Sequence, residues 1–329
     1  MIKVGIIGFG KMGQIRHQEI MQVNNVEVTC IYEPEEVDNL PSNIIQMDSA
    51  ESITDSESID VVFICTPNYL NMPLTIRSLK NGKHVFCEKP PAFSGSDVKK
   101  IMDVEKKSGK VLMYGFNHRH HGSVKKMKEI VDSGELGEVL WMRGRYGKSV
   151  NADFYDDWRS DINKAGGGIL MDQGIHMVDL FLYLSGDFNK VHAAVSNLYW
   201  DMNVEDNVFA TLENTETGVV ASLHSTMTQW RHLFSLEVFL KKGSMILNGL
   251  KTSSMTYGDE ILHVSKNRSI SPAAIWEDET HFSFHENDSW ASEILEFFDA
   301  IKNNREVSVG GSNDALKLMR VIDEIYTYK

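Results

Sequence analysis

The first third of the chain alternates short apolar runs with segments that have helical spacing. The apolar runs, rich in valine and isoleucine, lie at residues 3–9, 26–32, 59–66, 84–89 and 111–116. Helical segments lie between them, and the segment at 94–109 begins with serine and aspartate and ends at Gly109, as helices commonly do. Regular alternation of this kind predicts a parallel, doubly wound sheet.

Beyond about residue 118 the pattern changes to short runs in which apolar and polar residues alternate. These runs lie at 139–147, 190–200, 207–214, 218–227 and 234–249, and the last contains a predicted hairpin turn at 241–244. A period of two predicts an antiparallel sheet with one face towards solvent or a partner. Helices are predicted at 123–133, 172–185, 289–303 and 313–327. We therefore predict an α/β protein with two domains, at residues 1–118 and 119–329.

Composition narrows the class of protein without changing this prediction of the fold. Of the 329 residues, 42% are hydrophobic and 24% are charged, as in ordinary soluble globular proteins. The formal net charge is −13 and no dense stripe of Lys and Arg is present, so we expect no nucleic-acid partner. We also expect no membrane partner and a cytoplasmic location, because the sequence contains neither a long apolar run nor the features of a signal peptide. The cysteines, Cys30, Cys65 and Cys87, fall in apolar runs, which is typical of buried, reduced thiols.

A glycine-rich motif follows the first predicted strand and opens the first helix. Its residues are Gly8, Phe9, Gly10, Lys11, Met12 and Gly13, with the spacing G-x-G-x-x-G. In this setting the first glycine permits a tight turn, the second lets the backbone approach a pyrophosphate, and the third lets helix and strand pack closely. Glu33 follows Gly13 by 20 residues, at the end of the second strand, where a carboxylate binds the adenine-ribose hydroxyls of NAD. We predict bound NAD, and NADP use stays open because Lys11 could offset the repulsion between Glu33 and the additional phosphate.

Two further motifs end predicted strands of the same sheet. Thr66, Pro67 and Asn68 end one strand, and Glu88, Lys89 and Pro90 end the next. Ligands of open α/β sheets bind at the carboxyl ends of the strands, so both motifs lie at the same edge as the glycine loop. A lysine there can hold a substrate hydroxyl, although its position alone fits a surface lysine in a turn equally well.

The segment DQGIHMVDLFLYLS, predicted to be helical, contains a candidate acid–base pair. Asp172 and His176 are four residues apart, so on one helix face the carboxylate can hydrogen-bond the imidazole. Oxidation of an alcohol needs a base for the hydroxyl proton, and the pKa of histidine suits this role. From the residues alone a structural His–Asp pair is the more common case.

The motifs GFGKMG, CTPN, GKHVFCEKP, GFNHRH and GGGILMDQGIHMVDL occur in this order. Together they resemble the Gfo/Idh/MocA family of NAD(P)-dependent oxidoreductases, which includes glucose–fructose oxidoreductase and inositol dehydrogenase. The resemblance covers essentially the whole chain. It implies a Rossmann domain followed by an α/β domain with a large, mostly antiparallel sheet, through which homodimers or homotetramers form.

The resemblance also implies roles for individual residues. It makes Lys89, Asp172 and His176 the catalytic residues. It also implies that Lys89 contacts the cofactor, together with Thr66, Pro67, Asn68 and Glu88. It implies substrate contacts for Asn117, Trp158 and Arg159 in addition to His176. Pro91 and His120 depart from the family pattern, and neither occupies a catalytic position.

The implied activity is an NAD-dependent dehydrogenase or reductase that transfers hydride between nicotinamide and a ring carbon. The substrate would be a sugar, a polyol or a derivative, with a nucleotide sugar among the candidates. Two alternatives stay open. One is an NAD-dependent glycosidase with transient redox chemistry, and the other is a cofactor-bound sensor without catalysis.

Several residues admit more than one interpretation. Arg159 could clamp an anionic group or form an ion pair with Asp157 or Asp161. The run Gly166 to Gly168 permits either a close backbone approach or a hinge. His118, His120 and His121 form a cluster, and two of them would share a strand face, but no cysteine or carboxylate lies nearby at ligand spacing, so we expect no metal there. The remaining ambiguous side chains could line the substrate site or simply pack: His281, His285 and Trp290.

Overall fold

The computed structural model describes residues 1–268 and 274–329. They divide into two compact units. The first unit contains Met1–Asn117 and Ser289–Met319, and the second contains His118–Asp288 and Arg320–Lys329. Within the described residues, no helix has the length and apolar character needed to cross a bilayer.

The first unit is built on a parallel sheet with helices between its strands. The strands are β1 (Ile2–Ile7), β2 (Val26–Tyr32), β3 (Ile45–Gln46), β4 (Val61–Ile64), β5 (His84–Cys87) and β6 (Leu112–Tyr114). The helices are α1 (Lys11–Ile20), α2 (Ala50–Thr54), α3 (Asn71–Lys80) and α4 (Gly95–Ser108). The strand order β3-β2-β1-β4-β5-β6 is that of a dinucleotide-binding fold and confirms the predicted doubly wound sheet.

The second unit contains a large, mostly antiparallel sheet. Its elements are α5 (Gly122–Ser133), β7 (Val139–Ser149), α6 (Ile162–Ala165), α7 (Ile175–Ser185), β8 (Lys190–Ser196), β9 (Asn207–Glu213), β10 (Val220–Thr226), β11 (Thr228–Leu240), β12 (Gly243–Asn248), β13 (Glu260–Lys266) and β14 (Thr280–Phe284). The described strands pair in the order β14-β13-β12-β11-β7-β10-β9-β8, and β10 and β7 run parallel. The predicted class of fold is therefore confirmed. The chain ends with α8 (Ser289–Lys302) and α9 (Ser312–Tyr326).

The sheet and helix α7 of the second unit pack closely because β7 carries glycine on its inner face. A Cβ atom at Gly144 would lie 2.4 Å from the side chain of Met177 and 2.7 Å from that of Phe181. Nearly every residue of α7 is buried, as expected for a helix that is apolar on all sides.

The core of the first unit draws residues from the end of the chain. Phe63 of β4 stacks on Phe86 of β5 with ring centroids 4.9 Å apart, and Phe297 of α8 meets both rings edge-on at 5.6 Å. These contacts explain why Ser289–Met319 clusters with the first unit, although the pattern along the chain suggested a single change of domain near residue 118.

Candidate active site

The glycine loop connects β1 to α1, and two of its glycines are required by close approach of the backbone. Gly8 has φ of +86°, and a Cβ atom there would lie 2.5 Å from the carbonyl oxygen of Cys65. A Cβ atom at Gly13 would lie 2.1 Å from the carbonyl oxygen of Gly8, whereas at Gly10 it would point into open space. Helix α1 begins directly after Gly10, and because glycine has no side chain, none caps the first amides of the helix from this position. The loop thus offers helix N-terminal amides to an anion such as a pyrophosphate.

Glu33 lies where β2 ends and is bonded to the glycine loop. Its Oε2 accepts a hydrogen bond of 2.5 Å from the backbone N–H of Phe9. Gln46 holds the following turn, since its amide nitrogen donates to the carbonyl oxygens of Glu33 and Glu35. The carboxylate is thereby positioned beside the loop, as the adenine-ribose contact of a dinucleotide site requires.

The turns after β4 and β5 are joined by Asn71, a residue that the sequence analysis did not single out. Asn71 is fully buried. Its amide nitrogen donates to the carbonyl oxygens of Glu88, at 3.2 Å, and Pro90, at 2.8 Å, and its Oδ1 accepts from the hydroxyl of Thr66. This bridge fixes the backbone on both sides of Lys89, whose side chain is partly buried at the carboxyl end of β5.

Glu88 is held by a buried ion-pair network. Arg16 of α1 lies 2.7 Å from Oε1 of Glu88 and 2.7 Å from Oε2 of Glu293. The guanidinium also lies over the ring of Phe86. The carboxylates of Glu88 and Glu293 hold the pKa of Arg16 above its ordinary value, despite the opposing effect of burial. Glu88 thus anchors α1 to the turn that carries Lys89.

In the second unit, Asp172 lies in a π-helical turn, Leu170–Gly174, that precedes α7. The predicted helix over 172–185 is confirmed, but its first three residues belong to this π-helical turn, and the α-helical part, α7, begins at Ile175. Turns of this kind frequently occur at functional sites. Oδ2 of Asp172 lies 2.5 Å from Nζ of Lys148, and its Oδ1 lies 3.9 Å from Nε of Arg159. Lys148 is a site residue that the sequence analysis missed.

His176 is buried in the first turn of α7 and packs against another histidine. Its ring stacks on that of His118 with centroids 3.9 Å apart and an angle of 17°. Nε2 of His118 lies 3.0 Å from the hydroxyl of Tyr146. The hydroxyl of Tyr257 donates to Oε1 of Gln173. Burial raises the pKa of both tyrosines, and the charge of Asp172 raises it further, so both hydroxyls remain protonated at neutral pH.

Gly167 and Gly168 serve a close approach, one of the two interpretations open from the sequence, whereas Gly166 ends α6 with φ of +77°. A Cβ atom at Gly168 would lie 2.0 Å from the carbonyl oxygen of Glu205, and one at Gly167 would lie 2.0 Å from the hydroxyl of Tyr326. Oε1 of Glu205 is a buried acceptor for the backbone N–H groups of Gly168 and Leu170 and for that hydroxyl. Glu205, also missed from the sequence, fixes the start of the turn that carries Asp172.

The remaining predicted substrate residues occupy distinct places. Trp158 and Arg159 lie in a short 3-10 helix of the second unit, where the guanidinium packs over the indole ring. Arg159 also forms the predicted ion pair with Asp157, at 3.2 Å. In the first unit, the amide of Asn117 donates to the hydroxyl of Ser289 at 3.4 Å.

Of the three clustered histidines, His118 and His121 have neighbouring rings, with centroids 5.6 Å apart, but different hydrogen-bond partners. They lie in a 3-10 turn, Asn117–His120, and at the start of α5, so the expected strand face is wrong. His118 contacts Tyr146 and His176, whereas Nδ1 of His121 lies 3.0 Å from Oε2 of Glu260.

The three cysteines, Cys30, Cys65 and Cys87, are free thiols, as the sequence predicts. Burial raises the pKa of Cys87 to about 12.

Fold and site together define a class of protein, the two-domain oxidoreductase with a dinucleotide-binding domain. Residues 2–116 match the model of the oxidoreductase family with an NAD-binding Rossmann fold, and residues 124–246 match that of the Gfo/Idh/MocA C-terminal domain. The chain belongs to the Gfo/Idh/MocA family of oxidoreductases.

Relatives and solved structures agree with this assignment. The chain is 28% identical to the uncharacterized oxidoreductase YrbE of Bacillus subtilis, over 97% of this chain and 92% of that protein. It is 26% identical to the myo-inositol 2-dehydrogenase of Thermotoga maritima, over 79% of each chain. Its fold is similar to that of a levoglucosan dehydrogenase in complex with NADH and levoglucosan, with a TM-score of 0.84, 23% identity, and coverage of 99% of this chain and 96% of that one.

Proposed function

We propose that the protein is an NAD-dependent dehydrogenase or reductase that transfers hydride between nicotinamide and a ring carbon of a sugar, polyol or sugar derivative. The observation that carries this proposal is the surroundings of His176. The buried imidazole of His176 stacks on that of His118, and it follows a helical turn in which Asp172 pairs with Lys148. An imidazole in this position is suited to accept and return a proton.

We assign distinct tasks to the catalytic residues. The ammonium of Lys89 binds the reacting oxygen and favours its partial negative charge. A ring nitrogen of His176 accepts the hydroxyl proton in oxidation and returns it in reduction. Asp172 orients His176 and stabilises the imidazolium, and Lys148 holds the Asp172 carboxylate in place. NAD, when bound, supplies the acceptor for the hydride.

The residues of the first unit suit the binding of NAD. The amides at the start of α1, next to Gly10, would hold the pyrophosphate, with Phe9, Lys11 and Met12 around it. Glu33, oriented by the N–H of Phe9, would bind the adenine ribose and disfavour NADP. The remaining cofactor contacts in the proposal are Gly8, Gly13, Thr66, Pro67 and Asn68, with Glu88 supporting the turn.

Named relatives support the substrate class. Among them are a D-glucoside 3-dehydrogenase of Escherichia coli, a myo-inositol 2-dehydrogenase and a dTDP-sugar 3-reductase. We assign substrate contacts to Asn117, Trp158 and Arg159. The guanidinium of Arg159 is partly exposed and lies over the indole ring of Trp158.

We further propose that the protein is cytoplasmic and forms a homodimer or homotetramer through the sheet of the second unit. One face of this sheet carries exposed aromatic side chains. Trp141 stacks on Phe239 at 4.0 Å, and Phe209 stacks on His224 at 3.9 Å. Apolar patches of this kind on a sheet face are typical of subunit interfaces. Sedimentation velocity of the wild type and of Trp141→Glu tests this part, and a monomeric wild type would contradict it.

The activity is tested by measuring NADH formation from NAD with inositols, free sugars and nucleotide sugars in separate reactions, with NADP in parallel. We expect turnover with one of these classes and a preference for NAD. Lys89→Ala and His176→Ala should bind NAD with nearly unchanged affinity and lose turnover. His192→Ala, which removes an exposed histidine of β8, is the matched control.

Two other outcomes identify the alternatives. Release of free sugar from a glycoside without net NADH indicates a glycosidase with transient redox chemistry. Bound NAD without turnover of any substrate in the panel contradicts the proposal and favours a sensor. Wild-type turnover in His176→Ala would overturn the role of that residue.

A further inference from the structure

The outer end of the sheet in the second unit brings together two histidines and a glutamate. His263 of β13 lies directly opposite His281 of β14, the end strand of the sheet. Glu279 comes just before β14. Because side chains alternate across a strand, Glu279 and His281 lie on the same face, as do His263 and Ser265. The register thus collects these four side chains on one face of two neighbouring strands.

The two imidazoles converge on one carboxylate oxygen. Oε2 of Glu279 lies 3.1 Å from Nδ1 of His263 and 3.3 Å from Nε2 of His281. The other oxygen, Oε1, accepts a hydrogen bond of 3.3 Å from the hydroxyl of Ser265. The Glu279 side chain is 11% exposed, whereas those of His263 and His281 are 26% and 52% exposed. Ser265 and the two imidazoles therefore hold the carboxylate in place, and the imidazole of His281 is open to solvent.

These distances fit a metal centre. With bonds of about 2.0–2.1 Å, neighbouring ligand atoms of a tetrahedral zinc site are about 3.3 Å apart. Both N–O separations have this value within 0.2 Å. The three ligand atoms all lie within 4.8 Å of one another, so a single ion placed between them can contact all three side chains.

We propose that His263, Glu279 and His281 bind a divalent transition-metal ion of the zinc type, with water as the fourth ligand. Imidazole nitrogens with one carboxylate favour Zn²⁺ over Mg²⁺ or Ca²⁺, which prefer oxygen ligands. The hydroxyl of Ser265 donates to the other carboxylate oxygen and so orients Glu279, as hydrogen-bond partners of metal ligands commonly do. The ion would link β13 to β14 and stabilise the end strand of the sheet.

The sequence predicts no metal site here, because the three ligands lie far apart along the chain or on different strands. His263 and His281 are separated by 17 intervening positions, and their juxtaposition depends on the register between β13 and β14. The proposed site is independent of the proposed dehydrogenase activity.

The test is a calorimetric titration of the tag-free, metal-stripped protein with Zn²⁺, and with Mg²⁺ in parallel. We expect one Zn²⁺ per chain and no saturable binding of Mg²⁺. His263→Gln, Glu279→Gln and His281→Gln should each weaken Zn²⁺ binding roughly tenfold or more. His285→Gln, which alters another exposed histidine of the same segment, should bind like the wild type.

A second measurement uses the wild type alone and does not depend on how the variants fold. Zn²⁺ should protect His263 and His281, but not His285, from diethylpyrocarbonate, as mapped by peptide mass spectrometry. It should also slow hydrogen exchange of Thr280–Phe284. Absence of one-to-one Zn²⁺ binding overturns the proposal, as does equal affinity in the double variant His263→Gln/His281→Gln.

Discussion

The imidazole rings of His118 and His176 stack face to face, with centroids 3.9 Å apart and an angle of 17° between the planes. The two residues come from different elements, a 3-10 turn and the start of α7. The hydroxyl of Tyr146 lies 3.0 Å from Nε2 of His118. Since Tyr146 is itself buried in β7, the chain Tyr146–His118–His176 fixes the plane of the proposed base.

Loss of the stacked ring should therefore misplace His176. We expect His118→Ala to lower kcat roughly 100-fold, the effect of a displacement of about 1 Å in a catalytic group. The affinity for NAD should change little. His118→Phe retains a stacking partner and should recover part of kcat. Steady-state kinetics with NAD binding measured separately test this, and equal kcat in both variants and the wild type would remove the positioning role.

Substitution by alanine should affect NAD binding at Gly10 and folding stability at Gly13. A Cβ atom at Gly10 meets open space, so Gly10→Ala should fold normally. It should weaken NAD binding roughly tenfold, or about 1.4 kcal/mol, because the new methyl group opposes the approach of the pyrophosphate. A Cβ atom at Gly13 would lie 2.1 Å from the carbonyl oxygen of Gly8. Gly13→Ala should therefore lower the free energy of unfolding by about 1–3 kcal/mol. Urea unfolding and NAD titration separate the two effects, and unchanged NAD affinity in Gly10→Ala would contradict the assigned site.

The residues that could be predicted from sequence are those whose roles depend on local geometry. The glycine loop, Glu33 and the strand-end motifs are fixed by short spacings along a strand–turn–helix unit, and the order of the six parallel strands then brings them to one edge. In the same way, alternation of period two predicted the class of the second sheet.

The missed residues depend on contacts that are distant in sequence. Lys148 pairs with Asp172 across 24 positions, and Glu205 reaches Gly168 across 37. One signal for Lys148 was present: it continues the buried alternation of Met142, Gly144 and Tyr146 along β7. A lysine on the buried face of a strand requires a charged partner. The glutamate carries no comparable local signal.

Arg16 should be required for stability because it neutralises two buried carboxylates. Its side chain is 1% exposed, and those of Glu88 and Glu293 are 10% and 0% exposed. Removing the shared partner of buried ions typically costs about 3–5 kcal/mol, so we expect Arg16→Met to lose this much. The matched control is Arg77→Met, whose ion pair with Asp55 is exposed and should matter little. Denaturant unfolding of both variants is the measurement, and equal losses would contradict the network.

Glu105 should make stability depend on pH. Burial raises its pKa to about 7, although the hydroxyl of Ser312 donates a hydrogen bond of 2.5 Å to its Oε2. With an ordinary value of 4.5 in the unfolded chain, the folded state binds more protons between these two pH values. The free energy of unfolding should therefore fall as pH rises from about 4.5 to 7, by at most ~3 kcal/mol from this group.

Glu105→Gln should remove this contribution, because an amide retains an acceptor for Ser312 and carries no charge. Relative to the wild type, the variant should be more stable at pH 8 than at pH 4.5. Glu129→Gln, at an exposed position of α5, should follow the wild-type dependence. Urea unfolding at intervals across this range measures the difference. If the free energies of unfolding of Glu105→Gln and the wild type differed by the same amount at every pH, the Glu105 carboxyl would have the same pKa in the folded and unfolded chain. Its contacts in the folded state would then compensate for its burial, and the prediction would be wrong.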